Sequence, residues 1–412
     1  MSRRPNDQSY YDQYDGQDRE EISQRRPKKK QSKYQKKIKR LWAILGIEVV
    51  FFLMLLVLYG FHYTDEKFEE INYEKLDEEE LNISETIPVE TRQKYTTIAL
   101  FGLDARDVRT DTGNRSDTII IASIDNDTKE VRLLSVYRDT YMEFSNPSGN
   151  YDGCYTKITH AYAYGGAKGS IATLNRNLDL PITDYVTVNF LSLADIVDDL
   201  GGITVNVTPD EMNSVNIWLP ETAQIAGRSY KGLYETGDVT LDGLQAVTYC
   251  RIRNIGAGDI DRSARQREVL SAILDKAKQS NLSTLNKILD DVLPEISTSL
   301  SRSEIVSLMK DVLSYELTEN EGFPFTYHAG MYYDEIAGQD LSIIVGGDMK
   351  YNAELAHQFL YGSKLGSTAE DGSSDYEEAN YVPSQTVEDI SNAIVNKTGV
   401  YKPEDPELRG QY

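Results

Sequence analysis

Five arginines lie close together at residues 248–267 of a chain that is otherwise acidic. Arginine presents a rigid fork of N–H donors that matches phosphate oxygens, and it keeps its charge at physiological pH. The cluster therefore predicts a phosphate or pyrophosphate site, although a solvated helix paired with nearby acids would give the same pattern. Its members are Arg251, Arg253, Arg262, Arg265 and Arg267.

Two aspartates flank a polar loop nearer the amino terminus. Asp104 ends one apolar run and Asp117 begins the next, so their carboxylates could converge across the loop. Such a pair suits a hard divalent cation, because magnesium prefers one or two carboxylates together with substrate phosphate oxygens and water. The pattern predicts a site for Mg²⁺ or Mn²⁺, unless each aspartate only caps a turn.

A further arginine follows the third apolar run, which ends in SVYRDT at residues 135–140. The carboxyl end of a strand faces the crevice in which α/β folds bind ligands, so Arg138 is better placed to meet a phosphate than a surface arginine. Lys157 offers another cation. His160 precedes an apolar helix, where a histidine is more often structural than titrating.

The charge distribution argues against binding of nucleic acid. The chain of 412 residues has 43 Lys and Arg against 66 Asp and Glu, a net charge of −23. Residues 1–40 are basic, with 13 Lys and Arg against 6 Asp and Glu. Nucleic-acid binding needs a broad basic face, which an acidic body with a basic head does not supply.

Residues 41–63 read LWAILGIEVVFFLMLLVLYGFHY, with Glu48 as the one charged residue. A helix needs about 20 apolar residues to span a bilayer, and aromatic residues lie near both ends of this segment. Lysines and an arginine cluster in residues 28–40. The positive-inside rule therefore places residues 1–40 in the cytoplasm and residues 64–412 outside, as in a single-pass protein of the cell membrane.

The remaining pattern predicts a mixed α/β domain. Apolar runs predict strands at 96–101, 117–124, 131–136, 185–189 and 203–207, and amphipathic spacing predicts helices at 169–178, 190–200, 263–280, 282–300 and 302–315. The turn at 125–127 predicts a hairpin, and Gly201-Gly202 predicts a helix end. Strands alternating with helices give a mixed central β-sheet sandwiched by helices.

Composition divides the chain into five parts. They are a disordered basic head (1–40), the membrane helix (41–63), an acidic stalk (64–94), a folded domain (95–362), and an acidic linker and tail (363–412) with one helix at 387–396. Cys154 and Cys250 both fall in the outside part, where a disulfide between them is permitted. Two separate buried cysteines would fit the sequence as well.

Together these segments resemble the LytR–CpsA–Psr family of bacterial envelope proteins. The resemblance covers about residues 95–320, with the head and membrane helix in addition, and it depends on the order and spacing of several motifs. These are GLDAR (102–106), RSDT (115–118), LLSVYRDT (133–140), KITHAYAYGG (157–166), VNF (188–190), DDLGGITVNV (198–207), LDGLQAVTYCRIR (241–253) and DIDRSARQREVL (259–270). Tyr137 stands where the family usually has proline.

The resemblance implies a phosphotransferase with the family's α-β-α domain. Such enzymes move a glycopolymer from a polyprenyl pyrophosphate carrier to peptidoglycan, through a phosphodiester, in a Gram-positive-type envelope. By family match, Asp104 and Asp117 would hold magnesium, and the catalytic residues would be Asp117, Arg138 and Asp139, with Asp117 or Asp139 as the base. The substrate-binding residues would be Arg106, Arg115, Lys157, Arg251, Arg253, Arg262, Arg265 and Gln266.

Two other functions fit the same residues. A pyrophosphatase acting on polyprenyl pyrophosphates would use the same metal and arginines with water as the acceptor. A non-catalytic membrane protein would instead scaffold or regulate envelope assembly. The transferred polymer also stays open between teichoic acid, capsule and another polysaccharide.

Overall fold

The computed structural model describes most of the chain beyond residue 71. The described residues are 72–103, 113–146, 149–256, 258–280, 295–301, 303–304, 316–362 and 381–401, with four single positions between 284 and 291. The predicted head, the predicted membrane helix, Asp104 and Arg106 lie outside them. Within the described part of the chain, no helix is both long and apolar enough to cross a membrane.

Strands and helices alternate along the described chain. The strands are β1 (Asn72–Tyr73), β2 (Tyr95–Leu103), β3 (Ser116–Asp125), β4 (Glu130–Val136), β5 (Tyr141–Glu143), β6 (Tyr155–Lys157), β7 (Asp184–Asn189), β8 (Ile203–Val207), β9 (Gly237–Leu241), β10 (Ser297–Thr298), β11 (Glu316–Phe323), β12 (Tyr327–Asp334) and β13 (Gln339–Gly346). The helices are α1 (Val89–Lys94), α2 (Ile158–Leu178), α3 (Phe190–Asp199), α4 (Pro209–Ala226), α5 (Gly243–Arg251), α6 (Asp259–Lys278), α7 (Met349–Tyr361) and α8 (Gln385–Thr398).

Seven strands form one mixed sheet in the order β1-β10-β7-β2-β3-β4-β11. β2 is antiparallel to β3 and parallel to β7, while β4 is antiparallel to β3 and parallel to β11. The central strands β2, β3 and β4 are apolar and mostly buried along their length. Strands of this kind are covered on both faces, which explains their central place. The predicted mixed central sheet with helices is confirmed.

The turn between β3 and β4 forms the predicted hairpin. The side chain of Asp125 accepts hydrogen bonds from the backbone N–H groups of Asp127 and Thr128, both at 2.9 Å. An aspartate that binds the backbone two and three residues on stabilises a tight turn. The hairpin fixes the register of β4, and therefore the point at which the chain leaves the sheet toward Arg138.

One large hydrophobic core lies between the sheet and helices α2, α7 and α8. It contains Phe101, Ile121, Leu174, Leu360 and Ile390, all buried. The helix predicted at 169–178 begins earlier than expected, at the start of α2, and has a left-handed glycine (Gly166, φ 63°) inside it. The helix extends further because most of its first turns are buried too.

A second core lies among β8, β9 and helices α3 to α6. It contains Val205, Leu219 and Leu241. The predicted end of α3 is confirmed, since Gly201 and Gly202 follow it with φ values of 76° and 92°, which glycine adopts readily. Helix α4 was not predicted, although Thr208 and Glu211 form a capping box at its start.

Both ends of the described chain pack onto the domain. Within the predicted stalk, residues 72–94 supply β1 to the sheet and bury Leu81 and Ile87. At the other end α8 is longer than the predicted helix at 387–396 and packs into the first core. The folded domain thus extends past both predicted boundaries, because a few apolar residues anchor segments that are otherwise acidic.

The side chain of Asp179 holds the start of α8. It accepts hydrogen bonds from the backbone N–H and the hydroxyl of Ser384, at 2.7 and 2.8 Å, and from the Tyr381 hydroxyl at 3.0 Å. The Tyr381 ring stacks on the buried His357 ring, with centroids 3.5 Å apart. These contacts fasten the carboxyl-terminal helix to the end of α2.

One further expectation was wrong, and the alternative left open for the two cysteines is decided. The helix predicted at 282–300 is interrupted by β10, which pairs with β1 and β7; most of the helix predicted at 302–315 lies outside the described residues. Cys154 and Cys250 are both free, so they form no disulfide. Cys250 is buried in the second core, whereas Cys154 lies next to β6 and is only partly covered.

Candidate functional site

Asp117, the second residue of β3, is the centre of a cluster of arginines. Arg138, two residues beyond β4, binds its Oδ1. Its Oδ2 lies 3.0 Å from Nη2 of Arg253 and 3.4 Å from Nη1 of Arg262. Nη2 of Arg262 also donates to the backbone carbonyl of Asp117 at 3.0 Å. One carboxylate therefore orients three guanidinium groups that come from distant parts of the chain.

The cluster is largely withdrawn from water. The side chain of Arg262 is 2% exposed, that of Asp117 11% and that of Arg138 14%, whereas Arg253 is 41% exposed. Charges in such surroundings interact more strongly than in water, since the local dielectric is lower. The arrangement favours an anion that enters from the side of Arg253.

The cluster forms one wall of an open cavity of about 630 Å³. Five arginines and two carboxylates belong to its lining, so within the described residues it carries an excess of positive charge. A concave, positively charged site is suited to a multiply charged anion. The lining consists of Gly113, Asn114, Arg115, Asp117, Arg138, Ala163, Tyr164, Phe190, Trp218, Glu221, Thr222, Cys250, Arg251, Arg253, Asn254, Arg262 and Gln266.

Helices α5 and α6 position the remaining polar residues. Arg251 ends α5, and its Nη1 lies 3.4 Å from the Thr222 hydroxyl. Arg262 and Gln266 are four residues apart on α6, so they share one helix face, and both line the cavity. The structure thus brings together six predicted substrate or catalytic residues with Asp117: Arg115, Arg138, Arg251, Arg253, Arg262 and Gln266.

Three predicted site residues lie outside the cavity lining. Arg265, three residues after Arg262 on α6, is buried; it donates to the Ile252 carbonyl at 2.8 Å and pairs with Glu211 at 3.4 Å. Lys157 binds Oδ1 of Asp139 at 2.8 Å, and this carboxylate is also 3.7 Å from Nε of Arg138. Asp139 and Lys157 therefore contact the site through Arg138.

Cys250 lines the cavity but is not suited to act as a nucleophile. Burial raises the pKa of its thiol to about 12, with the nearby Arg265 lowering it only in part. A thiol of this kind stays protonated at physiological pH, and the thiolate is the reactive form.

Several cavity residues were not identified from the sequence. Asn114, Tyr164, Trp218, Glu221, Thr222 and Asn254 line the cavity. Tyr164 lies within the motif KITHAYAYGG (157–166), in which Lys157 and His160 gave the clearer chemical signal. The capping box at Thr208 would have predicted α4, and with it a helix carrying Trp218 and Glu221.

Of the two predicted magnesium ligands, Asp117 is among the described residues and lines the cavity. A carboxylate lies among cations that would hold phosphate oxygens, and magnesium binds through one or two carboxylates plus such oxygens. Among the described residues, no three His, Cys, Asp or Glu side chains are grouped to hold a metal ion. The other predicted ligand, Asp104, lies outside those residues.

The fold and the site define a class of protein: a mixed α/β domain with an arginine-rich cavity beside its central sheet. The chain belongs to the LytR_cpsA_psr family, whose model matches residues 57–341. The resemblance to the LytR–CpsA–Psr family predicted from the sequence motifs is confirmed.

Relatives with curated functions are similar to a large part of the chain. The polyisoprenyl-teichoic acid–peptidoglycan teichoic acid transferase TagT of Bacillus subtilis (strain 168) is 32% identical over 256 residues, which cover 60% of this chain and 73% of the relative. The corresponding TagU of Enterococcus faecalis is 30% identical over 286 residues, covering 67% and 84%.

The fold also occurs in a solved structure. A crystal structure of a protein from Streptococcus agalactiae superposes with a TM-score of 0.53 at 24% identity. The match covers 72% of this chain and 94% of that one. It supports the architecture described above.

Proposed function

We propose that this protein transfers a teichoic-acid-type glycopolymer from a polyprenyl pyrophosphate carrier to peptidoglycan. The observation that carries the proposal is the cluster of Arg138, Arg253 and Arg262 around Asp117, in a cavity that Arg251 also lines. A pyrophosphate group needs such a set of fixed cations. The proposal also follows from the family and from relatives that are named as teichoic acid transferases.

The arginines would act mainly through charge and position. An acceptor hydroxyl attacks the phosphorus that carries the glycan, the bridging P–O bond breaks, and polyprenyl phosphate leaves. The hydroxyl proton passes to a base, and the product is a phosphodiester. Negative charge stays on the phosphoryl oxygens throughout, so guanidinium groups already fixed by Asp117 stabilise the transition state without reorganising.

We assign Asp117 the role of base or metal ligand, and Asp139 the role of positioning Arg138. Asp117 lines the cavity, whereas Asp139 lies behind Arg138 and pairs with Lys157. Asp117, with Asp104, would hold Mg²⁺ or Mn²⁺, which would neutralise part of the pyrophosphate charge when bound. Arg106, which lies outside the described residues, would add a further cation.

The proposed place of action is the outer face of the cell membrane. Residues 41–63 have the length and apolar character of a spanning helix, and the basic residues before them favour a cytoplasmic amino terminus. A substrate anchored in the bilayer by a polyprenyl chain requires an enzyme held at the same surface. The membrane, the lipid-linked glycan and peptidoglycan are thus the proposed partners.

The test uses the full chain in detergent micelles with a lipid-linked teichoic acid precursor, peptidoglycan oligomers and magnesium, and detects products by mass spectrometry. We expect a glycan–phosphate–peptidoglycan adduct. Removing a cation that contacts the transferring group costs on the order of 10²-fold or more in rate, so Arg138→Ala should lose the adduct. Arg228→Ala is the matched control, because Arg228 pairs with Asp195 away from the cavity lining.

The products distinguish the alternatives. Glycan phosphate without an adduct would identify the protein as a pyrophosphatase. Equal adduct formation by Arg138→Ala and Arg228→Ala would contradict the proposed site. A lipid-linked capsule precursor, run in parallel, tests whether the polymer is a teichoic acid or a capsule polysaccharide.

A further inference from the structure

Two exposed aromatic side chains line the same cavity as the arginines. Tyr164 on α2 is 44% exposed and Trp218 on α4 is 45% exposed. Ligand pockets combine apolar and aromatic side chains with a few polar groups, and large rings exposed in a cavity are favourable when a ligand covers them. Pyrophosphate binding by the guanidinium groups does not explain why two aromatic rings are exposed in this cavity.

The Tyr164 ring is held in place by its neighbours. It makes edge contacts with the rings of Tyr151 and His160, at centroid distances of 5.1 and 6.3 Å. His160 is itself buried, and its Nδ1 lies 2.6 Å from the Thr156 hydroxyl. A ring fixed before binding loses little conformational entropy when a ligand covers it.

Trp218 is tied to the arginines through one helical turn. The Thr222 hydroxyl donates to the Trp218 carbonyl at 3.3 Å and lies 3.4 Å from Nη1 of Arg251. Glu221 and Asn254 are exposed in the same cavity. The cavity that Trp218 lines therefore offers hydrogen-bond donors and acceptors, together with a cation that would meet a phosphate.

A sugar ring matches this combination. One face of a pyranose presents C–H groups that pack against an aromatic ring, and its hydroxyls reach carboxylate and amide groups at the edge. A second phosphate fits less well, because the Glu221 carboxylate would repel it. A lipid chain fits less well too, since the polar side chains of Glu221 and Asn254 would lose water without gaining partners.

We propose that Tyr164 and Trp218 form a sugar-binding subsite next to the arginine cluster. The inference rests on the proposed function for the identity of the sugar, which has two possible sources. One is the first sugar of the donor, attached to the pyrophosphate. The other is the glycan strand of the peptidoglycan acceptor. Both present a pyranose ring at the point where the phosphodiester forms.

The experiment measures binding to the full chain in detergent micelles by calorimetry with three probes. They are inorganic pyrophosphate, polyprenyl-pyrophosphate-linked N-acetylglucosamine, and the peptidoglycan disaccharide of N-acetylglucosamine and N-acetylmuramic acid. Trp218→Ala and Tyr164→Ala should each weaken binding of a sugar probe roughly tenfold, and should leave pyrophosphate binding unchanged. Trp218→Phe keeps an aromatic face and should restore most of the affinity.

Two exposed side chains outside the cavity lining serve as matched controls. Ile217, beside Trp218 on α4, is 62% exposed, and Tyr230 is 51% exposed. Ile217→Ala and Tyr230→Ala should bind all three probes as the wild type does. Equal effects of these variants and of Trp218→Ala would overturn the subsite.

The three probes separate the possible results. If the aromatic variants lose binding of the disaccharide, the subsite belongs to the acceptor. If they lose binding of the lipid-linked sugar only, it belongs to the donor. Unchanged sugar binding in both aromatic variants, or a wild type that binds neither sugar, overturns the inference while pyrophosphate binding still supports the proposed function. If the protein binds a sugar probe through Trp218 but has no affinity for pyrophosphate, the subsite is supported and the proposed function is contradicted.

Discussion

Replacing Asp117 by asparagine removes the carboxylate that three arginines share and keeps the shape of the side chain. Removing one partner of a buried ion pair destabilises a protein by roughly 3–5 kcal/mol, because the other charge stays buried without compensation. Arg262 and Arg138 are buried enough for this range, whereas Arg253 is 41% exposed and adds little. Arg262 keeps its bond to the Asp117 carbonyl, so we expect a loss of about 3 kcal/mol.

The assay is urea unfolding of the full chain in detergent micelles, with and without inorganic pyrophosphate. Urea is chosen because guanidinium chloride would screen the charges under study. A ligand that binds only the native state raises the free energy of unfolding according to its affinity. Pyrophosphate should stabilise Asp117→Asn more than the wild type, because the anion replaces the missing negative charge.

The matched control is Asp195→Asn. Asp195 also pairs with an arginine, Arg228, at 2.5 Å, but both side chains are more than a third exposed. An exposed ion pair contributes only about 0–1 kcal/mol. Equal losses for Asp117→Asn and Asp195→Asn, or equal stabilisation of Asp117→Asn and the wild type by pyrophosphate, would refute the electrostatic reasoning.

Three further predictions concern the framework. Burial lowers the pKa of His357 to about 4 despite its hydrogen bond to a carbonyl. As the pH falls, the unfolded state therefore takes up a proton before the folded state does. The folded state should lose about 3 kcal/mol of stability between pH 6.5 and 4, measured as a lower midpoint of urea unfolding. Asp179→Asn replaces one of the acceptors that Ser384 uses and should free α8 for limited proteolysis, at a cost of about 1–2 kcal/mol. In Gly243→Ala the new methyl group would overlap the Ala194 carbonyl, so the melting temperature should fall by an amount equivalent to roughly 1–3 kcal/mol.

Each of these has an outcome that contradicts it. His357→Gln should flatten the pH dependence, and an unchanged slope would place the titration elsewhere. Proteolysis that cuts Asp179→Asn no faster near α8 than the wild type would show that Asp179 does not hold that helix. A Gly243→Ala variant that melts at the wild-type temperature would deny the steric argument.

The sequence alone predicted much of the fold and the chemistry of the cavity wall. Apolar runs placed β2, β3, β4, β7 and β8, since buried strands leave a strong local pattern. Asp117 and Arg138 stand at or just beyond the ends of such runs, which made each of them a candidate site residue, although their contact with each other was not predicted. Arginine chemistry then indicated a candidate anion site without knowledge of distances.

Other parts of the site depended on information that the sequence carries weakly. Arg262 and Arg265 are about one helical turn apart in the same motif, so helical spacing places them on neighbouring positions of one face. Only their tertiary contacts distinguish them, because Arg265 binds the Ile252 carbonyl and Glu211. Asp139 follows Arg138 directly and faces Lys157 instead of the cavity lining. Tyr164 and Trp218 come from helices that are far apart in the sequence, and they line one cavity only in the folded chain.

The two hydrophobic cores give ligand binding a mechanical consequence. Asp117 lies in β3 and Arg138 just beyond β4, two strands that contribute to the first core. Arg253 and Arg262 lie in the helical region of the second core. An anion that contacts residues from both cores binds with its full affinity only while the two cores stay together. Its binding free energy therefore stabilises their association. Occupancy of the cavity should therefore make the cores unfold as one cooperative unit, with amide exchange slowing in both at once.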